Sequence, residues 1–321
     1  MSARLRGVAR QTEQIVAAGA YRAPDGREVS IAAALRAARE GTRVFGPEPV
    51  PVPSVRVTRT LVEVTGESSL EAARRLSGDA AVLNASARHP GGDTAVLNAS
   101  VRHPGGDTAV LNASARHPGG DTAVLNFASA RNPGGGYLNG AQAQEEALCR
   151  ASALYTCLLG ARAFYDHHRA HRDPFYTDRV IHSPAVPVFR DDRGGLLAQP
   201  YTVGFLTSAA PNAGVVLRTA PERASELPRA LAVRAERVLE TAAAHGYRKL
   251  VLGAWAPGRL GAWGCGVFRN DPDRVAGAFR GLLGPGGRFS DTFEHVVFGV
   301  LDRTPGQVVR AAFEKTFQVQ P

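Results

Sequence analysis

Lysine is almost missing: Lys249 and Lys315 are the only two in 321 residues, so the net charge of +9 is nearly all arginine. The arginines are dispersed, with no dense basic tail, which argues against nucleic acid as a direct ligand while leaving a surface that favours anionic partners. Cysteine is scarce too. Cys149, Cys157 and Cys265 are too few and too scattered for a disulfide framework or a zinc site. The expectation is a reduced, cytoplasmic protein that needs no metal and no cofactor. No apolar run reaches the roughly 18 residues that cross a bilayer. Arg4, Arg6 and Arg10 are followed by no apolar stretch of the secretory kind. What is present, 44% hydrophobic and 21% charged residues, describes a globular chain long enough to bury a substantial core.

Periodicity and punctuation predict alternating helices and strands. A helix is expected over Val8–Ala18, a turn at Pro24-Asp25-Gly26, and a second helix capped by Ser30 and running through Glu40. Four prolines between Pro47 and Pro53 exclude helix there and give an extended connector. A strand over Val55–Val64, a helix from Ser68 to Leu76, a strand at Ala123–Phe127 and one long helix over Ala141–Leu159 follow. Further strands are expected at Arg179–His182, Val186–Phe189, Tyr201–Thr207, Lys249–Leu252 and His295–Leu301, with helices at Leu227–His245, Asp271–Leu283 and Gly306–Phe313. The fold class is therefore α/β, a mixed sheet flanked by helices on both faces with an N-terminal helical extension over residues 1–54.

One unit, Gly-Asp-Thr-Ala-Val-Leu-Asn-Ala-Ser-Ala-Arg-His-Pro-Gly, recurs with small variations from Gly78, Gly92 and Gly106 at a period of 14 residues. A fourth copy from Gly120 differs: Phe127 is inserted and Asn132 replaces the histidine. So short a period with near-identical copies reads as tandem duplication of one strand-plus-loop segment, not a solenoid. The fourth copy is expected to hold the sheet position, with residues 80–121 a peripheral insert in a catalytic domain over 55–321. His89, His103 and His117 owe their spacing to the repetition, and no ligand set completes a metal site around them. His167, His168 and His171 read as a solvated cap at a helix end.

Two segments carry chemistry. The first runs from Asn126 through Gly134-Gly135-Gly136 to Gln144-Glu145-Glu146, as strand, glycine loop and helix start. Glycines let the backbone approach a ligand and point N–H groups at its oxygens. A carboxylate pair beside such a loop suits glycosidic bond cleavage. The bland alternative makes Glu146 an exposed partner of Arg150 one turn on, and Glu145 a favourable charge at a helix start. The second segment is Gly264-Cys265-Gly266-Val267-Phe268, before the Asp271 cap. It lacks the third glycine of a dinucleotide fingerprint and the Lys-Ser/Thr of a P-loop, yet its small residues suit a pyrophosphate. Cys265 reads as a small buried residue and not a nucleophile. Leu252-Gly253-Ala254-Trp255 recurs as Leu260-Gly261-Ala262-Trp263 just before it.

Gly-Gly-Gly, seven residues, Gln-Glu-Glu resembles the signature of poly(ADP-ribose) glycohydrolases, and the flanking residues resemble their microbial-type branch, from about Val8 to Phe317. The resemblance implies a macrodomain-like fold and exo-acting hydrolysis of ribose–ribose bonds, with poly(ADP-ribose), ADP-ribose and ADP-ribosylated proteins as partners and ADP-ribosylation reversal, DNA damage response included, as the setting. It implies Glu146 as acid/base, Glu145 as the residue that orients the ribose, the glycine loop at the distal ribose, and Gly264–Phe268 at the diphosphate with Phe268 against a ribose. Two alternatives stay open: a reader that binds ADP-ribose without turnover, and a mono-ADP-ribosyl hydrolase.

Overall fold

The computed structural model describes residues 2–54, 57, 59–86, 120–256, 268–302 and 305–317. Helix α1 (Ala3–Ala18) is capped by Ser2, whose hydroxyl accepts from the Leu5 N–H, and ends at Gly19 in the left-handed region. A hairpin of β1 (Ala20–Arg22) and β2 (Glu28–Ser30) encloses the Pro24-Asp25-Gly26 turn and leads into α2 (Ala32–Gly41). Ser30 therefore closes a strand and Ile31 holds the cap position, but the Ser30 hydroxyl still accepts from the Ala32 N–H at 3.4 Å. Strand β3 (Arg43–Phe45) precedes the proline connector, and β4 (Leu61–Thr65) covers only the second half of the expected strand.

Ser68 and Glu71 form a reciprocal capping box at the start of α3 (Ser69–Ser86): the Ser68 N–H donates to Glu71 Oε2 and the Glu71 N–H to Ser68 Oγ. Then come β5 (Thr122–Phe127), α4 (Gln144–Ala151), α5 (Leu154–Gly160), α6 (Arg162–Ala170), β6 (Val180–Arg190) and β7 (Leu196–Ser208). The chain continues through α7 (Ala213–Thr219), α8 (Leu227–Ala244), β8 (Lys249–Val251), β9 (Ala254–Ala256), α9 (Pro272–Leu283), β10 (His295–Asp302) and α10 (Val308–Phe317). Asp271 caps α9, with Pro272 at its first position, as the sequence predicts.

The long helix expected over Ala141–Leu159 is two. Ser152 is extended and bridges to Val188, and the Ala153 N–H donates to the Pro187 carbonyl, so the break serves β6. Conversely, the two strands expected at Arg179–His182 and Val186–Phe189 are one, joined by a bulge in which Ala185 has φ of 52°.

The sheet order is β3-β6-β7-β5-β8-β10-β4, with β9 beside β10. The β3–β6 and β6–β7 pairs are antiparallel, and β7–β5, β5–β8, β8–β10 and β10–β4 are parallel. Alternation along the strands feeds two cores. Val124, Val251 and Val297 face a layer with Leu76, Leu148, Leu154 and Phe164, whereas Leu125, Leu250 and Phe298 face one with Leu231, Val238, Phe279 and Phe313. Among the described residues no helix is long and apolar enough to cross a membrane.

The fourth repeat copy is thus β5, and Phe127, present only in that copy, packs against the second core. Residues 87–119, most of the proposed insert, lie outside the described residues. Its ends meet at one lysine: Lys249 Nζ donates to the Leu76 carbonyl at 3.2 Å and pairs with Asp121 at 3.5 Å. Asp79 holds the same place in the first copy that Asp121 holds in the fourth. Deleting Ala80–Asp121 therefore puts Gly78-Asp79 directly before Thr122, within reach of Lys249. The shortened protein is expected to fold and to keep its activity within about twofold, because loop length itself weighs little; an unfolded or inactive product, judged by circular dichroism and turnover, would make the repeats structural.

Candidate active site

Gln144, Glu145 and Glu146 are the first three residues of α4, whose start lies at the carboxyl end of β5. The capping residue is Ala143, which has no side-chain acceptor to offer, so the free amides of the helix start need other partners. Glu146 supplies one: its Oε2 accepts from the Ala143 N–H at 3.0 Å. Gln144 fastens the helix to the strand. Its Oε1 accepts from the Phe127 N–H at 2.8 Å, and its Nε2 donates to the Leu125 carbonyl at 2.7 Å and to Ser69 Oγ at 3.1 Å.

The glycine turn closes on the pair from the other side. Gly134 and Gly135 have φ of 66° and 55°, where side chains are costly. A Cβ on Gly135 would sit 2.6 Å from Glu146 Oε1 and 3.1 Å from Glu145 Oε2, so both carboxylates converge on the space this residue leaves open. The Gly136 N–H donates to Glu146 Oε1 at 2.9 Å, and the Ser129 N–H donates to Glu145 Oε2 at 2.7 Å. Both carboxylates are buried. Arg150 does not pair with Glu146; its Nη1 donates to the Ala141 carbonyl at 2.7 Å. The exposed i,i+4 pair of the bland alternative is absent.

Burial pushes the Glu145 carboxyl well above its ordinary range, the Glu146 charge adds to the rise, and the Ser129 amide opposes it. The helix start alone would lower it. The folded protein then binds more protons than the unfolded chain above the ordinary value of 4.5. The stability that Glu145 contributes is fully present below that value and is lost as pH rises through its raised one. Glu145→Gln removes that loss and can still accept from Ser129. Its melting temperature is expected to exceed that of the parent at pH 8 and to match it near pH 4; a fall at pH 8 would contradict the assigned cause.

Asn126, at the end of β5, is fully buried. Its Nδ2 donates to Thr207 Oγ1 at 3.1 Å and to Glu145 Oε1 at 3.5 Å, while its Oδ1 has no partner among the described residues. A buried acceptor so placed is open to a ligand hydroxyl. Helix α1 braces the turn: Tyr137 donates to Glu13 Oε1 at 2.9 Å, and Thr12 Oγ1 to the Arg150 carbonyl at 2.7 Å. Burial raises Glu13. Sequence reasoning missed these braces and Ser69, Ser129 and Thr207. Only the adjacent Ser68 cap hinted at one of them; a backbone amide such as that of Ser129 leaves no signal at all.

Cys149 and Cys157 are buried, with thiols pushed up by burial, the latter to about 11, which leaves neither a nucleophile. His168 is no solvated cap. It is fully buried between the Phe164 carbonyl and Thr177, and desolvation lowers it to about 4. Among the described residues no three His, Cys, Asp or Glu side chains group as metal ligands; His89, His103 and His117 are outside that set.

Gly264, Cys265, Gly266 and Val267 lie outside the described residues, as does the second Leu-Gly-Ala-Trp copy. The first copy runs into β9, beside the end of β10. Phe268 is half-buried, its ring 5.7 Å from that of Tyr176, over which Arg131 lies at 6.0 Å. The Gly214 N–H donates to the Phe268 carbonyl at 2.9 Å, and Asn270 Nδ2 to the Pro211 carbonyl at 2.7 Å, which tie the exit of this segment to the start of α7.

An α/β sheet that holds two buried carboxylates against a glycine turn, at the carboxyl ends of its parallel strands, belongs to the class equipped to break glycosidic bonds. The sequence matches the family model of the microbial-type PARG (poly(ADP-ribose) glycohydrolase) catalytic domain over residues 9–107 and 93–191, two stretches that overlap within the repeats. The chain belongs to this family. The fold is similar to poly(ADP-ribose) glycohydrolase from Thermomonospora curvata, with 42% identity, a TM-score of 0.79, and 98% of this chain and 100% of that one covered. The same protein bound to the inhibitor ADP-HPD gives 44% identity and a TM-score of 0.77 over the same shares. The enzyme from Deinococcus radiodurans in complex with ADP-ribose gives 39% identity and a TM-score of 0.67, covering 88% of this chain and 97% of that one. Curated protein sequences give no match.

Proposed function

We propose that this protein hydrolyses the ribose–ribose O-glycosidic bonds of poly(ADP-ribose) from the chain end and releases ADP-ribose. The observation that carries the reading is the convergence of buried Glu145 and Glu146 on Gly135. Glu146 is the acid/base. Its two oxygens are oriented by the Gly136 and Ala143 amides, which fixes the plane of the carboxyl group. It protonates the leaving ribose 2′ oxygen as the C1″–O bond breaks through an oxocarbenium-like state. The resulting carboxylate then takes a proton from the water that adds at C1″. Glu145, held by Ser129, and Asn126, with its open Oδ1, orient the distal ribose against Gly134–Gly136, while Gln144 fixes the helix that carries the pair. The diphosphate sits at Gly264, Cys265, Gly266 and Val267, with Phe268 against a ribose. The site acts on ADP-ribosylated proteins in the cytoplasm, and metal is not required for any step.

The test is product analysis on automodified protein carrying poly(ADP-ribose). Free ADP-ribose and shortened chains are expected. Binding without chain shortening would make the protein a reader, and release of a single protein-linked unit alone would make it a mono-ADP-ribosyl hydrolase.

A further inference from the structure

Four arginines, running from the loop after the glycine turn to the β6–β7 hairpin, have no carboxylate partner among the described residues. Arg75, next to Arg74 on α3, pairs with Glu63 and Glu67, and Arg190 spends its donors on Thr12, Gln11 and the Gly194 carbonyl. Arg4, Arg6, Arg74 and Arg193 are exposed and make no ion pair among the described residues. They are also contiguous. Arg6 packs on Gly140, where a Cβ would meet its Cγ at 3.1 Å, and the Ser2 N–H donates to the Gly140 carbonyl at 3.1 Å. Arg4 Nη1 donates to the Arg193 carbonyl at 3.4 Å, which leads onto the β6–β7 hairpin. Arg193 and Arg74 then line one cavity of about 220 Å³ together with Leu70, Leu197 and Tyr201.

The cavity also holds Glu71, Asp191 and Asp192, but these are occupied locally. Glu71 takes the Ser68 N–H, Asp191 the amides of Arg193 and Gly195, and Asp192 the Ser68 hydroxyl at 2.5 Å. The floor touches the active site through adjacent residues, since Ser69 accepts from Gln144.

We propose that Arg4, Arg6, Arg74 and Arg193 bind the pyrophosphate of the polymer unit next to the one being cleaved. This rests on the proposed function and deepens it. One short run of four cations, bounded by Glu71, Asp191 and Asp192, suits a single pyrophosphate flanked by sugars. The apolar floor of Leu70, Leu197 and Tyr201 offers a place for a base.

The test compares the parent with a variant carrying Arg4→Gln, Arg6→Gln, Arg74→Gln and Arg193→Gln. Binding of end-labelled poly(ADP-ribose) is measured by anisotropy in an inactive Glu146→Gln background, so that it does not depend on turnover, and hydrolysis is measured in the active one. The variant is expected to bind long chains about tenfold more weakly at low salt. Its salt dependence should be flatter, with the log–log slope reduced by about 0.7 for each phosphate that is no longer neutralised. ADP-ribose affinity and saturated turnover stay as in the parent. Equal polymer affinity and slope in the two proteins would overturn the proposal. Displacement of the polymer by a single-stranded oligonucleotide at matching charge concentration would overturn it too, in favour of a nucleic-acid surface. If the parent releases no ADP-ribose but the variant still loses polymer binding, the track stands and the glycohydrolase reading falls.

Discussion

Replacing Glu146 by Gln is expected to slow ADP-ribose release from poly(ADP-ribose) by about 10²–10⁴-fold, the usual range for loss of a general acid. The substitution is nearly isosteric. The Gln carbonyl can still accept from one of the two amides that hold the carboxylate, Gly136 or Ala143, so the helix start should survive. What is lost is the proton and the charge. ADP-ribose has no bond to break, and its affinity, measured by calorimetry, should change less than about threefold. Hydrolysis near the parent rate would remove Glu146 from the chemistry and leave Glu145 as the acid.

A second large effect is expected at a residue with no side chain. Gly135→Ala would place a methyl 2.6 Å from Glu146 Oε1 and 3.1 Å from Glu145 Oε2, at a φ of 55°. The left-handed backbone alone costs an alanine about 1–2 kcal/mol. The contact adds a displacement of both carboxylates, and a shift of about 1 Å in a reacting group can lower a rate by about 100-fold. The two contributions separate by comparison with Gly26→Ala. Gly26 has φ of 86° in the hairpin turn and nothing within 4 Å of its missing Cβ. Both variants should melt lower, and only Gly135→Ala should lose turnover, by about 100-fold. Equal turnover in the two would mean that the turn tolerates bulk and that the carboxylates do not meet there.

The local structure that carries the proposed acid/base pair was largely legible in the sequence, for physical reasons. The glycine turn and the Gln-Glu-Glu helix start are local, so seven intervening residues fix their distance whatever the rest of the chain does. The Asp271-Pro272 cap was readable on the same grounds. Phe127 marked the fourth repeat because an extra large apolar residue needs a core, and the second core takes it. Most of the misses are non-local. Ser152 breaks the expected helix to pair with Val188, and Ala185 bends β6 so that two predicted strands are one. Ser30 looked like a cap until the hairpin claimed it. The brace from Glu13 to Tyr137 spans 124 positions, and no pattern within either segment announces it. His168 illustrates the limit differently: next to His167 it reads as a solvated charge, but the helix turns it into the core.

The most direct measurement of the central claim is a crystal structure of the Glu146→Gln protein with a short poly(ADP-ribose) chain bound. The account predicts the distal ribose against Gly134–Gly136, with the bridging oxygen between the two riboses about 2.6–3.2 Å from the residue 146 side chain and a distal hydroxyl on Asn126 Oδ1. A chain bound with its terminal ribose away from the glycine turn, or with the bridging oxygen beyond the reach of residue 146 while the terminal unit fills the site, would contradict it.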